Sequence, residues 1–185
     1  AQSFFSKMLN ESQEGKNIGL AYFQERGFTA ESIDKFHLGY SPDQWDALTK
    51  AALNAGFQEE FLISSGLTIQ KGEKLFDRFK GRVMFPIHSM SGRVMGFGGR
   101  ILKQDKQAAK YVNSPESEVY QKSKVLYGLF QAKQHIAKQS NCYLVEGYTD
   151  VIQMHQAGIQ NVVSSSGTAL TPDQVRLIRR LTDTI

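Results

Sequence analysis

The most constraining stretch of this chain is a four-residue apolar run, Cys142 to Val145, that ends in a carboxylate, Glu146, and a turn-permitting Gly147. Val151, Ile152, Met154 and His155 then follow at helical spacing as far as Gly158. A short apolar run, a tight turn and an amphipathic run read as strand, turn and helix. The pattern repeats: 129–139 reads as a helix, 142–146 as a strand, 148–157 as a helix, 161–165 as a strand and 171–181 as a helix. Such alternation calls for parallel strands joined by right-handed crossovers. In these sheets, chemistry collects at the carboxyl ends of the strands. Glu146 falls at that edge, and Asp150 falls in the first helical turn, where the helix dipole favours a negative charge. Spacing alone leaves open whether they share a pocket or are a surface strand end and a helix-start charge. Ser164-Ser-Ser-Gly-Thr168 ends the second strand on the same edge and reads equally as a phosphate cradle or as an ordinary loop.

The rest of the chain follows other periods. Residues 3–11 and 16–26 carry apolar positions at helical spacing, with Gly27 as a stop and Thr29 as a cap for a helix through Phe36. Ser41-Pro-Asp-Gln44 and Thr171-Pro-Asp-Gln174 share one capping signature, predicting a helix to Gly56 and another over Val175 to Leu181. Arg82 to Met90 and Arg93 to Arg100 are β-prone and separated by Ser91-Gly92, a two-residue hairpin signal. Pro86 places the first of these strands at an edge or at a bulge. Gly96, Gly98 and Gly99 mark bulges or a close approach of another backbone, with a nucleic acid strand one option beside Arg100. Residues 104–124 are polar, with Tyr111 and Tyr120 between lysines, and read as an exposed functional loop.

Charge narrows the class of partner. Between Arg78 and Lys124 stand ten lysines and arginines against three acids, whereas the remainder holds twelve bases and fifteen acids. A basic middle between mildly acidic ends points to a polyanion. A single cysteine, Cys142, excludes a disulfide framework and a cysteine-rich zinc site. No apolar run approaches the roughly 20 residues of a membrane span, and the start lacks the layout of a signal peptide. Those features predict a cytoplasmic protein with no membrane partner.

Four blocks in order carry a family resemblance: Arg82-Val-Met-Phe-Pro-Ile87 with Gly92-Arg-Val-Met-Gly-Phe-Gly-Gly-Arg100, Lys110-Tyr-Val-Asn-Ser-Pro-Glu116, Leu126-Tyr-Gly-Leu129 and Glu146-Gly-Tyr-Thr-Asp150. Together they resemble the central RNA polymerase region of bacterial DnaG-type primases. The resemblance implies an α+β chain: a helical and β-hairpin-rich basic subdomain over 1–127, then a partial α/β Toprim fold with parallel strands over 128–185. It implies synthesis of short RNA primers on a single-stranded DNA template from ribonucleoside triphosphates, with Mg2+ or Mn2+, at the replication fork. Glu146 resembles the Toprim glutamate that orients metal or aids proton transfer, with Asp150 as its companion. Gly167 and Thr168 match the loop after the second Toprim strand. Arg26, Arg82, Arg100, Lys110, Tyr111, Asn113 and Lys122 match the groove that takes template or nucleotide phosphates.

The same comparison shows departures. The family's Asp-x-Asp pair is not found after Glu146, so the metal site anchored at Glu146 is expected to be incomplete. The zinc-binding domain and the C-terminal domain that engages the replicative helicase are also expected to lie elsewhere. The chain is thus expected to be a monomeric fragment, inactive alone. The alternative is a noncatalytic module that binds single-stranded DNA on a Toprim-like scaffold.

Overall fold

A computed structural model describes residues 1–103, 109–167 and 169–185. The described residues form two compact units, each assembled from three chain segments. The first comprises Ala1–Gly27, His37–Pro86 and Gly96–Tyr120; the second comprises Phe28–Phe36, Ile87–Met95 and Gln121–Ile185. One cut near residue 127 does not reproduce this division, because two early segments pack with the C-terminal part. Folding of non-contiguous segments together leaves no local mark in a sequence.

In the first unit, α1 (Gln2–Glu11) leads through a wide π-helical turn, Gly15–Leu20, into α2 (Ala21–Glu25), which ends at Gly27 with φ of 76°. Most of a four-stranded sheet lies in this unit, in the order β1 (Gly39–Ser41), β4 (Arg82–His88), β5 (Val94–Ile101) and β6 (Tyr111–Asn113), with the tip of the β4–β5 hairpin, Ile87–Met95, counted in the second unit. Phe5 of α1 meets the Phe97 ring edge-on at 5.3 Å, and Phe23 of α2 meets Phe85 at 6.0 Å, giving the unit an aromatic core. Strand β1 passes so close to α1 that a Cβ on Gly39 would stand 2.6 Å from the Cβ of Phe5. Between β1 and β4 lie α4 (Ala47–Asn54), α5 (Glu59–Ser64) and an antiparallel ribbon of β2 (Thr68–Lys71) and β3 (Lys74–Asp77).

Three local expectations fail here for identifiable reasons. Ser41 does not cap a helix; it ends β1, opposite Arg82. The helix starts later, and its first-turn amides at Leu48 and Thr49 donate to the buried carboxylate of Asp77 at 2.7 and 3.0 Å. The cap thus comes from β3, 28 residues away. Pro86 lies on an interior strand, but β1 pairs only with Arg82 to Met84, so the proline is past the end of that ladder. The turn between β4 and β5 is one residue longer than expected: Ser89 N–H donates to the Arg93 carbonyl at 2.8 Å, and Gly92 occupies the left-handed position with φ of 88°.

The second unit begins with α3 (Ala30–Lys35), capped by Thr29, whose hydroxyl accepts from Ser32 N–H at 3.2 Å. Then come α6 (Leu129–Gln139), β7 (Tyr143–Val145), α7 (Tyr148–Gln156), β8 (Val162–Ser164) and α8 (Pro172–Arg179). Strands β7 and β8 are parallel, with Val145 opposite Ser164. Their core is Leu126, Leu129, Ala132, Ile136, Cys142, Val163 and Ile178. Helix α8 carries the cap its sequence announces: Thr171 accepts from Gln174 N–H at 3.2 Å, and Gln174 Oε1 accepts from Thr171 N–H at 3.0 Å. The α+β class, with parallel strands in the later part, is the class expected from the sequence.

Candidate functional site

The parallel register puts the carboxyl ends of β7 and β8 side by side, and the chain then ties the two loops together. Glu146 directly follows β7, and its carbonyl accepts from Ser164 Oγ at 2.7 Å and from Gly167 N–H at 3.2 Å. Ser164 is fully buried, and its hydroxyl also accepts from Ser166 N–H at 2.9 Å. Ser166 and Gly167 both adopt positive φ, at 62° and 78°, which curls the loop back over the strand ends. Glu146 therefore has a fixed backbone and an exposed side chain. An exposed carboxylate on a fixed backbone can accept a proton, bind a cation or orient a donor.

Asp150 is placed differently from a free second acid. Its Oδ2 accepts from Gly147 N–H at 3.0 Å, which closes the first turn of α7. This is the return half of a capping box, with the acid three residues into the helix. Its anchor is the same Glu146-Gly147 turn, so Asp150 braces the backbone that presents Glu146. Among the described residues no group of three or more His, Cys, Asp or Glu could hold a metal ion. Glu146 is an exposed carboxylate at the strand end. Thr168 lies outside the described residues.

The basic candidates divide by environment. Arg82 is 7% exposed, and its guanidinium donates to the carbonyls of Gly99, Ala109 and Lys110 at 3.1 to 3.4 Å. It was expected in a phosphate groove, but burial among backbone oxygens makes it a strut between β4 and the chain that returns to β6. Lys110 is exposed beside it. Arg26, Arg100 and Tyr111 do come together. Arg100 stands opposite Tyr111 in the β5–β6 ladder, and its guanidinium carbon lies 5.6 Å from that ring. The same guanidinium lies 4.9 Å from the ring of Tyr22 on α2, and that of Arg26 lies 5.5 Å from it. Asn113 is half-buried opposite Gly98. Lys122 belongs to the second unit, in a 3₁₀ turn whose Lys122 carbonyl accepts from Gln174 Nε2 at 3.1 Å. Tyr22 is absent from the sequence-derived candidates. The one available signal was an aromatic residue four positions before Arg26 on one helical face.

Two further expectations are corrected. Gly96 and Gly99 make room for side chains of the unit itself, not for a nucleic acid strand. A Cβ on Gly96 would meet the Tyr120 ring at 2.7 Å, and one on Gly99 would meet Phe79 at 2.7 Å. Tyr120 is accordingly 1% exposed, its phenol pKa pushed up to about 12 by burial, rather than displayed on a loop. Residues 104–108, within that expected loop, lie outside the described residues.

Comparison with known proteins shows which family the chain resembles. The family profile described as DNA primase catalytic core, N-terminal domain, matches residues 4–133, and that of the Toprim domain matches residues 140–184. The DNA primase of Halalkalibacterium halodurans is 43% identical over all of this chain, which covers 31% of that protein. That of Streptomyces coelicolor is 40% identical over 98% of this chain and 28% of the relative. The chain thus spans about a third of the length of the curated relatives it matches. Among solved structures, the RNA polymerase domain of Mycobacterium tuberculosis primase DnaG superposes with a TM-score of 0.91 at 41% identity, over 97% of this chain and 58% of that one. A DnaG primase catalytic domain bound to single-stranded DNA superposes with a TM-score of 0.88 at 37% identity, over 99% of this chain and 56% of that one.

Proposed function

The chain belongs to the DnaG-type DNA primase family, and from that membership we propose that it supplies the template-binding surface and the catalytic glutamate of a protein that makes short RNA primers on single-stranded DNA. The observation that carries the catalytic part is Glu146: an exposed carboxylate on a backbone locked by Ser164, Gly167 and the Asp150 brace. In primer synthesis the attacking 3′-hydroxyl forms a bond to the α-phosphorus of a ribonucleoside triphosphate, the bond to pyrophosphate breaks, and the hydroxyl proton leaves. Glu146 is assigned the uptake or steering of that proton. Asp150 is assigned the turn geometry, and Gly167 the loop that holds the Glu146 carbonyl. A divalent cation, Mg2+ or Mn2+, would supply charge neutralisation at the phosphates, with Glu146 as one carboxylate toward it.

The template part rests on the first unit. Arg26, Arg100 and Lys110 offer charge for strand phosphates, and Tyr111, 37% exposed, offers a ring face on which a base can stack. Arg82 acts through the backbone it holds, and Asn113 is assigned a supporting contact; Lys122, in the second unit, is assigned a phosphate contact of its own. The same reading divides the chain functionally near residue 127 and makes primer synthesis depend on parts of the protein outside it, as it does engagement of a replicative helicase. It puts the protein in the bacterial cytoplasm; among the described residues no helix is long and apolar enough to cross a membrane. The test is Glu146→Gln in the intact protein: primer synthesis disappears while affinity for a single-stranded template stays within about twofold, since no phosphate contact is removed. Retained synthesis overturns the assignment.

A further inference from the structure

We propose that Tyr22 is a positioning residue for template phosphate binding: its ring and hydroxyl hold the Arg100 guanidinium in one orientation while leaving its charge uncancelled. The proposal rests on the reading that Arg100 grips a phosphate of the strand. It goes beyond that reading because Tyr22 matches none of the motifs that point to nucleic acid.

Four observations place Tyr22. It sits on α2, one helical turn before Arg26. Its hydroxyl accepts a hydrogen bond from Arg100 Nη1. Its ring lies 4.9 Å from the Arg100 guanidinium carbon and 5.5 Å from that of Arg26, so one ring serves two arginines. Opposite Arg100 stands Tyr111, whose hydroxyl accepts weakly from the same nitrogen at 3.4 Å. Arg100 is therefore flanked by two phenols, and among the described residues it forms no ion pair with a carboxylate.

The choice of holder has a chemical logic. An arginine fixed by Asp or Glu is neutralised by its partner and attracts phosphate weakly. An arginine fixed by a neutral hydroxyl and by ring faces keeps its full charge and forfeits less rotamer freedom when it grips a ligand. Tyr22 must stay neutral for this. Burial raises its phenol pKa above the usual 10, outweighing the lowering effect of the neighbouring arginines, so it stays protonated at physiological pH. The arrangement is inaccessible to sequence reading because Tyr22 and Arg100 are 78 residues apart.

The experiment uses the 185-residue chain, a fluorescent single-stranded oligothymidylate and anisotropy over a salt series. Arg100→Ala should weaken binding about tenfold and lower the salt slope by about one unit. Tyr22→Leu should reproduce most of that loss, about fivefold, with the same fall in slope, and the double variant should bind within about twofold of Arg100→Ala alone. Tyr22→Phe keeps the ring and drops the hydroxyl, so it should lose about threefold. Parental affinity for Tyr22→Leu, or losses that multiply in the double variant, would overturn the proposal. If Arg100→Ala itself binds like the parent, the phosphate reading falls instead. A readout without nucleic acid separates the two: Arg100 Nη resonances that are distinct in the parent should merge in Tyr22→Phe. If they do not change, Tyr22 does not hold Arg100, whatever happens to binding.

Discussion

Asp77 offers a sharp test of how the first unit is held together, because its function is invisible in its own neighbourhood. Its carboxylate accepts from Leu48 N–H at 2.7 Å, Thr49 N–H at 3.0 Å and Thr49 Oγ1 at 2.7 Å. Replacement by alanine strands two first-turn amides of α4, while the Thr49 hydroxyl keeps its contact with Thr68 at 2.8 Å. Each buried amide left unpaired costs ~1 to 3 kcal/mol, and loss of a helix cap ~0.5 to 2 kcal/mol. Against this stands relief from burying a carboxylate, a cost visible in the pKa of Asp77, which burial pushes up despite its hydrogen bonds. The net expectation is a loss of ~2 kcal/mol, or ~4 to 8 °C in Tm for a chain of this size. Thermal unfolding followed by circular dichroism measures the total, and amide exchange at Leu48 and Thr49 localises it. Asp46→Ala is the control: Asp46 occupies the N-cap position without capping, and its exposed pair with Lys50 should contribute no more than ~0.5 kcal/mol. Should Asp46→Ala prove the costlier change, the cap is local and the account of α4 is wrong.

Two further outcomes concern the second unit. His155 is 5% exposed, with its ring edge-on to Phe36 at 5.2 Å, and burial, then the nearby Lys35 and His135, lower its pKa to about 4 from 6.5. The depressed value means the folded state prefers the neutral ring. Its contribution is complete above pH 6.5 and declines as pH falls toward 4, by up to ~3 kcal/mol; His155→Leu should flatten that part of the stability profile, and an unaltered acid slope would refute it. Cys142 is 3% exposed, with its thiol pushed up to about 11 by burial. Disulfide reagents at pH 8 should therefore modify it only as the chain unfolds. Rapid labelling of the native chain would contradict this.

How much was legible depended on how far apart the interacting groups lie. Helix α8 was readable because Thr171 and Gln174 cap each other within three residues. The same four-residue signature at Ser41 misled, because pairing with Arg82 makes Ser41 a strand end, and Asp77 supplies the cap instead. The alternation from α6 to α8 was readable because hydrophobic period switches sharply at Gly128, Gly147 and Gly158. Glu146 could be placed at a strand end, but not the hydrogen bonds from Ser164 and Gly167 that fix it. Arg82 and Arg100 look alike in sequence; one is buried against three carbonyls and the other lies between two tyrosines. Glycines at 96 and 99 suggested an approaching ligand because nothing local announces Tyr120 or Phe79.

The central claim is that the Glu146 carboxylate acts in primer synthesis and Asp150 only shapes its turn. It is tested most directly by the rate of first dinucleotide formation, measured in the intact protein on saturating single-stranded template for Glu146→Gln and Asp150→Asn. The account predicts that Glu146→Gln lowers the rate by at least ~1,000-fold at unchanged template affinity, whereas Asp150→Asn, whose amide oxygen can still accept from Gly147, loses no more than ~10-fold. Near-parental dinucleotide synthesis by Glu146→Gln, or a loss in Asp150→Asn as large as that in Glu146→Gln, would contradict it.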